Sequence, residues 1–444
     1  ITNQNMKLHN RQIFFVVLIA IVWASLFFSE NSSPSNLDIF DKADTAWMIV
    51  ASALVLLMTP GLAFFYGGMV GKKNVISTML QSFISLGVIS LVWVAFGFSL
   101  SFGDSIGGLG IIGDPSNYIF LNNISDQDSN IPFLLFALFQ LKFAIITPAI
   151  ITGSFAERIR FRSYLLFMIL FTILIYCPLA HMTWSGDGLF ANFGDILGFS
   201  GYEGLHVLDF AGGTVVHMSA GLAAICGAIY LGKRKKVETQ PANIPFIILG
   251  TSLLWFGWFG FNAGSALGAN YDAVISFANT NIASSTSMIT WVLYDRFLNR
   301  KISAVNACIG AIVGLVAITP AAAFVSLSHA IVIGFISSLI CNMFLSWIKS
   351  KNIVDDTLDV FATHGLGGIC GMILTAIFAK DVGLINGQHQ TLILHLIACL
   401  VVIIFVLIGS YLIYKLVDVL LPMRVRDDQE ERGLDLSQHG EVIN

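Results

Sequence analysis

Residues 209–231 read D-F-A-G-G-T-V-V-H-M-S-A-G-L-A-A-I-C-G-A-I-Y-L. After Asp209 this stretch contains no charged residue, and His217 is its one basic group. An apolar helix of about 20 residues matches the thickness of the hydrocarbon core of a bilayer. At about 1.5 Å per residue, His217 is expected roughly 12 Å beyond Asp209. The stretch therefore predicts a membrane-spanning helix that carries an imidazole well inside the bilayer.

Similar apolar stretches recur along nearly the whole sequence. Hydrophobic residues make up 56% of the 444 residues and charged residues only 11%, too few to cover a water-soluble globule. Because these stretches have the length of spanning helices rather than of barrel strands, an all-α polytopic membrane protein is predicted. Nucleic acid is excluded as a sensible partner. Eleven spanning helices are expected, at residues 45–70, 75–102, 131–154, 163–180, 206–231, 244–267, 275–293, 303–324, 326–348, 358–379 and 391–421.

The amino-terminal segment, residues 1–30, has the layout of a targeting signal. Lys7 and Arg11 precede an apolar run at 13–28, and polar residues follow at 30–36. No small-x-small cleavage site ends the run, so cleavage and retention as an additional helix both stay open. The membrane domain is expected over residues 31–422, and a cytoplasmic tail over residues 423–444.

The distribution of positive charge predicts the orientation. If the first of the eleven helices starts outside, most of the 23 Lys and Arg residues fall in inner segments. Positively charged loops stay on the cytoplasmic side, so the mature amino terminus is expected outside the plasma or inner membrane and the carboxyl terminus in the cytoplasm. The odd helix count suggests two inverted five-helix repeats plus one helix, with the substrate path between the halves.

A second histidine occupies the corresponding place in the other half. Residues 359–368 read D-V-F-A-T-H-G-L-G-G, and His364 is expected about 20 Å beyond Lys351 by the same rise per residue. Ionisable groups at this depth are costly and usually functional, so His217 and His364 are predicted to meet in the substrate path rather than to be packing residues. Neighbouring glycines would let the helix backbones approach closely: Gly212, Gly213, Gly365, Gly367 and Gly368.

Carboxylates near helix ends are interpreted as structural. Asp209 could bind a cation directly or cap a helix, and capping is favoured. Asp355, Asp356 and Asp359 stand at an inner helix start, where negative charge complements the helix dipole. The six cysteines lie in apolar stretches without metal-ligand spacing, so neither a metal nor a cofactor is expected.

Several longer motifs stand in order along the chain. They are D-T-A-W-M at 44–48, P-G-L-A-F-F-Y-G-G at 60–68, A-E-R-I-R-F at 156–161, A-H-M-T-W at 180–184, D-F-A-G-G-T-V-V-H at 209–217, G-W-F-G-F-N-A-G-S at 257–265, H-G-L-G-G at 364–368 and E-R-G-L-D-L-S-Q-H-G-E at 431–441. Together they resemble the ammonium transporter family, the Amt/Mep branch of the Amt/Mep/Rh superfamily. The resemblance covers residues 44–441. It implies eleven helices with inverted five-helix repeats, and a homotrimer with one pore in each protomer.

The resemblance also implies roles for single residues. The outer ammonium site of the family corresponds here to Trp184, Phe143 and Ser265, and its phenylalanine gate to Phe143 and Phe261. A cation over an aromatic face gains about 0.5–2 kcal/mol, which favours ammonium over neutral ammonia at the entrance. Phe139, one turn away, is expected to shape the same wall.

The physics of the apolar pore predicts a mechanism. Moving a bare cation into such a pore carries an idealised desolvation cost of tens of kcal/mol, whereas neutral ammonia avoids most of it. Ammonium is therefore expected to lose a proton beyond the gate, and ammonia to pass along His217 and His364. A histidine pair can also relay the proton, which predicts proton-coupled net ammonium transport.

Lys142 departs from the family pattern, in which this position is usually uncharged. Successive helix residues differ by about 100° in direction, so the Lys142 side chain need not enter the pore that Phe143 lines, and both placements stay open. A lysine facing the entrance would repel ammonium and weaken recruitment.

Other protein classes explain the sequence less well than a transporter does. A membrane-bound ammonium sensor would use the same site with little flux and is the alternative. A Rhesus-type gas channel normally lacks the entrance tryptophan, so Trp184 argues against it. An intramembrane enzyme is not expected, because Ser265 lacks a G-x-S-x-G signature. The resemblance assigns the tail a regulatory role and names a PII-type signal protein as a candidate cytoplasmic partner.

Overall fold

Helices form every long element that the structure, a computed structural model, describes. It describes residues 2–28, 40–124, 130–238 and 240–443, with side chains from residue 14 onward. Within these ranges there is no strand, and two isolated bridges are the only β-type pairings. The polar stretch at 30–36 and the expected boundary between residues 30 and 31 lie outside the described residues. The prediction of an all-α protein is confirmed.

The fold is built mainly from thirteen helices within the described residues. They are α1 (Thr2–Ser25), α2 (Lys42–Met69), α3 (Lys72–Phe102), α4 (Phe133–Ser154), α5 (Phe161–Trp184), α6 (Gly213–Leu231), α7 (Ile244–Gly264), α8 (Tyr271–Phe297), α9 (Ala304–Ala321), α10 (Leu327–Lys351), α11 (Phe361–Phe378), α12 (His389–Leu420) and α13 (Asp427–Arg432). In the part of the chain that is described, α2–α7 and α9–α12 are the ten helices that are long and apolar enough to cross a membrane. The chain is an integral membrane protein.

Helix α8 covers the remaining predicted span, 275–293, but is more polar than the ten. Its polar side chains are turned toward neighbouring helices. Asn279 donates to the carbonyls of Ala322 and Val325, and Ser287 donates to that of Gly310. These groups are buried and hydrogen-bonded, so α8 combines a polar inner face with the length of a spanning helix.

Helices α6 and α11 begin later than predicted. The expected starts at residues 206 and 358 are wrong, since the helices begin at Gly213 and Phe361. The backbone N–H groups of Gly212, Gly213 and Thr214 donate to the Asp209 carboxylate at 2.6–2.8 Å, so the start of α6 is fixed by this cap. The expectation of unbroken helix between Asp209 and His217 is therefore also wrong. Both helices open with a π-helical turn, at Gly213–Met218 and Phe361–Leu366.

These two turns pack directly against each other's helix. A Cβ atom built at Gly221 of α6 would overlap the backbone N and Cα of Gly365. One built at Gly368 would lie 3.1 Å from the carbonyl oxygen of Gly213 and from Cβ of His217. Only glycine permits this approach, which brings the two histidine-bearing segments together in the centre of the bundle.

The carboxyl-terminal residues pack against the starts of α3 and α5. The Asp435 carboxylate accepts hydrogen bonds from the backbone N–H groups of Ile76 and Ser77, although it is 2% exposed. Gln438 accepts from the Phe161 N–H and donates to the carbonyl of Ile159. This part of the tail is therefore fixed to the membrane bundle. The six cysteines carry free thiols, five of them buried.

Candidate functional site

One end of the bundle contains a small cavity of about 140 Å³, called the outer cavity after the orientation expected from the sequence. Trp184, Phe143 and Ser265, which come from α5, α4 and the end of α7, meet at its wall. Ser265 Oγ donates to the carbonyl of Phe261 at 2.9 Å, so only its oxygen lone pairs remain available to a bound group. The complete lining is Phe136, Gln140, Phe143, Trp184, Phe210, Ser265 and Leu267.

Asp209 supports this cavity but does not line it. Trp184 Nε1 donates to the backbone carbonyl of Asp209 at 3.0 Å, which fixes the indole. The carboxylate of Asp209 is 6% exposed and is fully engaged with the start of α6 and with the Thr214 hydroxyl. Its geometry is that of a structural cap rather than of a cation ligand.

Two phenylalanines close the cavity on the side that faces His217. The rings of Phe143 and Phe261 are 4.3 Å apart between centroids at 41°, and each is at most 1% exposed. Phe139 packs edge-on against Phe143 at 4.9 Å, so the Phe143 ring is supported on its far side. The closed ring pair therefore separates the cavity from the residues on its other side.

His217 and His364 lie on the side of the phenylalanine pair that is away from the cavity. Their Nδ1 atoms are 3.3 Å apart, and both rings are almost fully buried. His217 also stacks on Phe261, with centroids 5.9 Å apart. The cavity beside the imidazoles measures about 10 Å³, the lower limit for a single water molecule. Apart from the two histidines and Trp258 its walls are aliphatic or phenylalanine: Met58, Leu62, Phe65, Ile146, Ile150, Leu254, Phe261 and Ile312.

Thr319 and Trp258 hold His217, and sequence reasoning missed both. Trp258 stacks on the imidazole at 5.4 Å and donates through Nε1 to the Thr319 hydroxyl at 2.9 Å. The Thr319 hydroxyl donates its one proton to the carbonyl of Leu315. In its 3.4 Å contact with His217 the hydroxyl can therefore only accept, and the ring nitrogen Nε2 of His217 is the donor. Nδ1 of His217 is then an acceptor, and His364 donates to it. Trp258 lies inside the 257–265 motif, but Thr319 carries no signal in a single sequence.

A third, larger cavity of about 670 Å³ lies between the end of α10 and the start of α11 and is rich in charge. Arg234 pairs with Glu157 and with Asp355, each at 2.7 Å. Burial opposes ionisation of Asp355, but the hydrogen bonds and charge of Arg234 lower its pKa. Burial and then the charge of Asp359 raise the pKa of Asp356 to about 6. Asp356 accepts from the Phe361 N–H at the start of α11, as expected of a residue that complements the helix dipole.

Lys142 does not line the outer cavity, although the adjacent Phe143 does. Its side chain is half-buried on another face of α4. The charge that departs from the expected pattern is therefore not part of the wall of this cavity.

Helices α4, α5, α6, α7 and α11 thus bring three features into one row. These are the aromatic cavity, the pair of phenylalanine rings and the two imidazoles. A profile of the Ammonium Transporter Family matches residues 46–443. The chain belongs to the ammonium transporter family. It is 40% identical to an ammonium transporter of Aquifex aeolicus over 439 residues, covering 97% of this chain and 99% of that protein. It is 43% identical to an ammonium transporter of Bacillus subtilis over 415 residues, covering 90% and 97%.

Solved structures of the family share this fold. The crystal structure of Saccharomyces cerevisiae Mep2 is similar with a TM-score of 0.81 and 32% identity, covering 91% of each chain. A structure described as a sensor Amt protein has a TM-score of 0.81 and 28% identity, covering 89% of this chain and 98% of that one. The resemblance found in the sequence is confirmed, and it assigns the chain to membrane transport proteins rather than to enzymes.

Proposed function

We propose that this member of the family transports ammonium, recruiting the cation at Trp184, Phe143 and Ser265 and conducting ammonia past His217 and His364. The observation that carries the proposal is the order of the sites. An aromatic and hydroxyl-lined cavity lies above a closed ring pair, and beyond it a narrow apolar passage contains two touching imidazoles.

The outer cavity is suited to a small cation that donates hydrogen bonds. The rings of Trp184 and Phe143 pack nearly perpendicular to each other with centroids 6.0 Å apart, and a cation in the cavity that both line lies against aromatic side chains. Such contacts contribute about 0.5–2 kcal/mol each. The free lone pairs of Ser265 accept an N–H from ammonium, whereas potassium has no proton to donate. Recruitment therefore favours ammonium over potassium and over neutral ammonia.

Beyond Phe143 and Phe261 the passage favours the neutral form. Burying an uncompensated cation among aliphatic walls costs far more than burying ammonia, so ammonium gives up a proton on entry. In the tautomers assigned above both ring nitrogens of His217 have protein partners, so the lone pair on Nε2 of His364 is the group that hydrogen-bonds ammonia there.

The hydrogen-bonded histidine pair also provides a route for the proton. Nδ1–H of His364 donates to Nδ1 of His217, and a proton that arrives at one ring can leave from the other if both tautomers change together. We propose that proton transfer along this pair accompanies ammonia conduction, so that net ammonium moves.

Uptake of isotope-labelled ammonium into proteoliposomes tests recruitment and conduction separately. Trp184→Ala is expected to raise the half-saturating concentration roughly tenfold, as expected when about 1–2 kcal/mol of cation binding is lost. His217→Ala is expected to lower the maximal rate with less effect on half-saturation. Phe259→Leu is the matched control, because Phe259 stacks on Phe277 at 4.0 Å away from the path. Unchanged uptake in both site variants would overturn the proposal.

A sensor is the second candidate, favoured by the similarity to the sensor Amt structure. A sensor with the same outer site would bind ammonium with little flux. Saturable, Trp184-dependent ammonium binding by the purified protein, together with uptake no faster than in protein-free vesicles, would support sensing and contradict transport.

The remaining features of the proposal concern assembly and location. We infer a homotrimer with one pore per protomer in the plasma or inner membrane, with the mature amino terminus outside and residues 423–444 as a cytoplasmic regulatory tail. The inward placement of Lys and Arg segments supports the orientation. A PII-type signal protein is the proposed partner of the cytoplasmic face. The mass of the detergent-solubilised protein tests the trimer, and protease access to the tail in sealed vesicles tests the orientation.

A further inference from the structure

A third buried histidine, His395 on α12, joins two other parts of the bundle. Its Nε2 lies 2.9 Å from the backbone nitrogen of Leu208, and its Nδ1 lies 2.9 Å from the carbonyl oxygen of Met372. The side chain has no exposed surface. Because an amide N–H only donates and a carbonyl only accepts, His395 is neutral and carries its proton on Nδ1.

The first partner of His395 belongs to the segment that holds the outer site. Leu208 directly precedes Asp209, whose backbone carbonyl accepts from Trp184 Nε1 at 3.0 Å. The Asp209 carboxylate caps α6, the helix of His217. One short stretch of backbone therefore fixes both the indole and the start of the histidine helix.

The second partner lies on the other histidine helix. Met372 follows His364 along α11, and its sulfur would be 2.9 Å from a Cβ atom at Gly213. His395 thus connects α11 to the segment before α6 at the level of the outer cavity.

We propose that His395 is a positioning residue of the outer recognition site, which it serves by holding the Leu208–Asp209 backbone and, through it, the Trp184 indole. This inference rests on the proposed role of Trp184. Without His395 the buried Leu208 N–H has no acceptor, and a buried donor left unpaired is costly enough to displace the segment. Displacement moves the Asp209 carbonyl and with it the indole, so cation recruitment is weakened while the histidine passage remains.

Two substitutions separate hydrogen bonding from packing. His395→Phe keeps a ring of similar volume but removes both hydrogen bonds. His395→Gln keeps one donor and one acceptor on a flexible side chain. We expect the half-saturating concentration for labelled ammonium uptake to rise about three- to tenfold in His395→Phe, the range for loss of the single hydrogen bond to Leu208 on which the outer site depends. It should stay within about twofold of the unaltered chain in His395→Gln, with little change of maximal rate per assembled protein in either variant.

Tyr414→Phe provides a control on the same helix. The Tyr414 hydroxyl donates to the carbonyl of Ala223 at 2.9 Å and is also fully buried. Removing the Tyr414 hydroxyl removes one buried hydrogen bond of α12 far from the outer cavity. The half-saturating ammonium concentration should therefore not change. An equal rise in Tyr414→Phe and His395→Phe would show a general structural effect and overturn the proposal.

A double-substitution cycle decides whether His395 acts through Trp184. In a Trp184→Ala background, His395→Phe should cause no further rise in half-saturation. Additive effects would overturn the positioning role alone, whereas an unchanged value in Trp184→Ala itself would overturn the proposed outer site. If His395→Phe does not assemble, His395→Asn replaces it. Its shorter amide spans only one of the two contacts, so a value equal to that of His395→Gln would refute the inference.

Discussion

Gly221→Ala provides a steric test of the histidine passage. A Cβ atom at this position would overlap the backbone N and Cα of Gly365 and lie 3.0 Å from the carbonyl carbon of His364, whereas ordinary contact begins at 3.4 Å. The overlap with Gly365 requires α6 and α11 to separate by roughly 1 Å, since backbone atoms cannot rotate away. Such a shift would stretch the 3.3 Å contact between the His217 and His364 Nδ1 atoms beyond hydrogen-bonding distance.

The expected result is a loss of rate with little loss of recruitment. Overpacking of this kind costs about 1–3 kcal/mol, so the protein should still assemble. We expect the maximal rate of labelled ammonium uptake to fall at least about tenfold, because a misplacement of about 1 Å can cost a hundredfold in rate. Half-saturation should change little, since Trp184 and Ser265 lie beyond the separated helices.

Gly87→Ala is the matched control for this substitution. Gly87 lies in α3, and a Cβ atom there would have no neighbour within 4 Å. Its uptake should equal that of the unaltered chain. Normal uptake by Gly221→Ala as well, at equal amounts of assembled protein, would refute the reasoning that close contact of these two helices is needed for conduction.

Three further predictions concern charges outside the passage. Lys142→Leu should leave the half-saturating concentration of ammonium uptake unchanged, because Lys142 does not line the outer cavity; a marked decrease would mean that its charge repels ammonium at the entrance. Arg234→Met should lower the free energy of unfolding by about 3–5 kcal/mol, because the buried Glu157 and the partly buried Asp355 lose their cation, whereas Arg426→Met at an exposed pair should leave the thermal midpoint in detergent almost unchanged; equal midpoints in the two variants would contradict this. The pKa of Asp356 is about 6 in the folded protein and 3.8 for an ordinary aspartate, so between these values the folded state binds more protons than the unfolded state. The free energy of unfolding should therefore fall as the pH rises from about 4 to 6. The fall should be weaker in Asp356→Asn.

The sequence was sufficient for the helical membrane fold and for its histidine pair because these depend on strong local signals. Runs of apolar residues predict spans by length alone, and glycines beside His217 and His364 predict close packing. Helices α6 and α11 start later than the sequence predicts, because Asp209 and Asp356 accept from backbone N–H groups that the apolar pattern alone does not distinguish from the helix interior. The polar inner face of α8 similarly depends on acceptors in other helices.

Contacts between distant segments could not be predicted in the same way. Thr319 holds His217 across 102 positions of sequence, and His395 meets Leu208 across 187. Both are ordinary members of apolar helices when only their neighbours are considered. Their hydrogen bonds follow from the arrangement of helices in space, which one sequence without relatives does not specify.

The most direct test of the account is the current across a proteoliposome membrane during an ammonium pulse, recorded together with labelled ammonium uptake. The account predicts a saturable inward positive current in the unaltered chain, with one charge moved for each nitrogen. It predicts that His217→Ala loses this current and that Trp184→Ala needs a higher ammonium concentration for the same current. Uptake without current would contradict proton-coupled net ammonium transport, and a full current in His217→Ala would contradict conduction past the histidine pair.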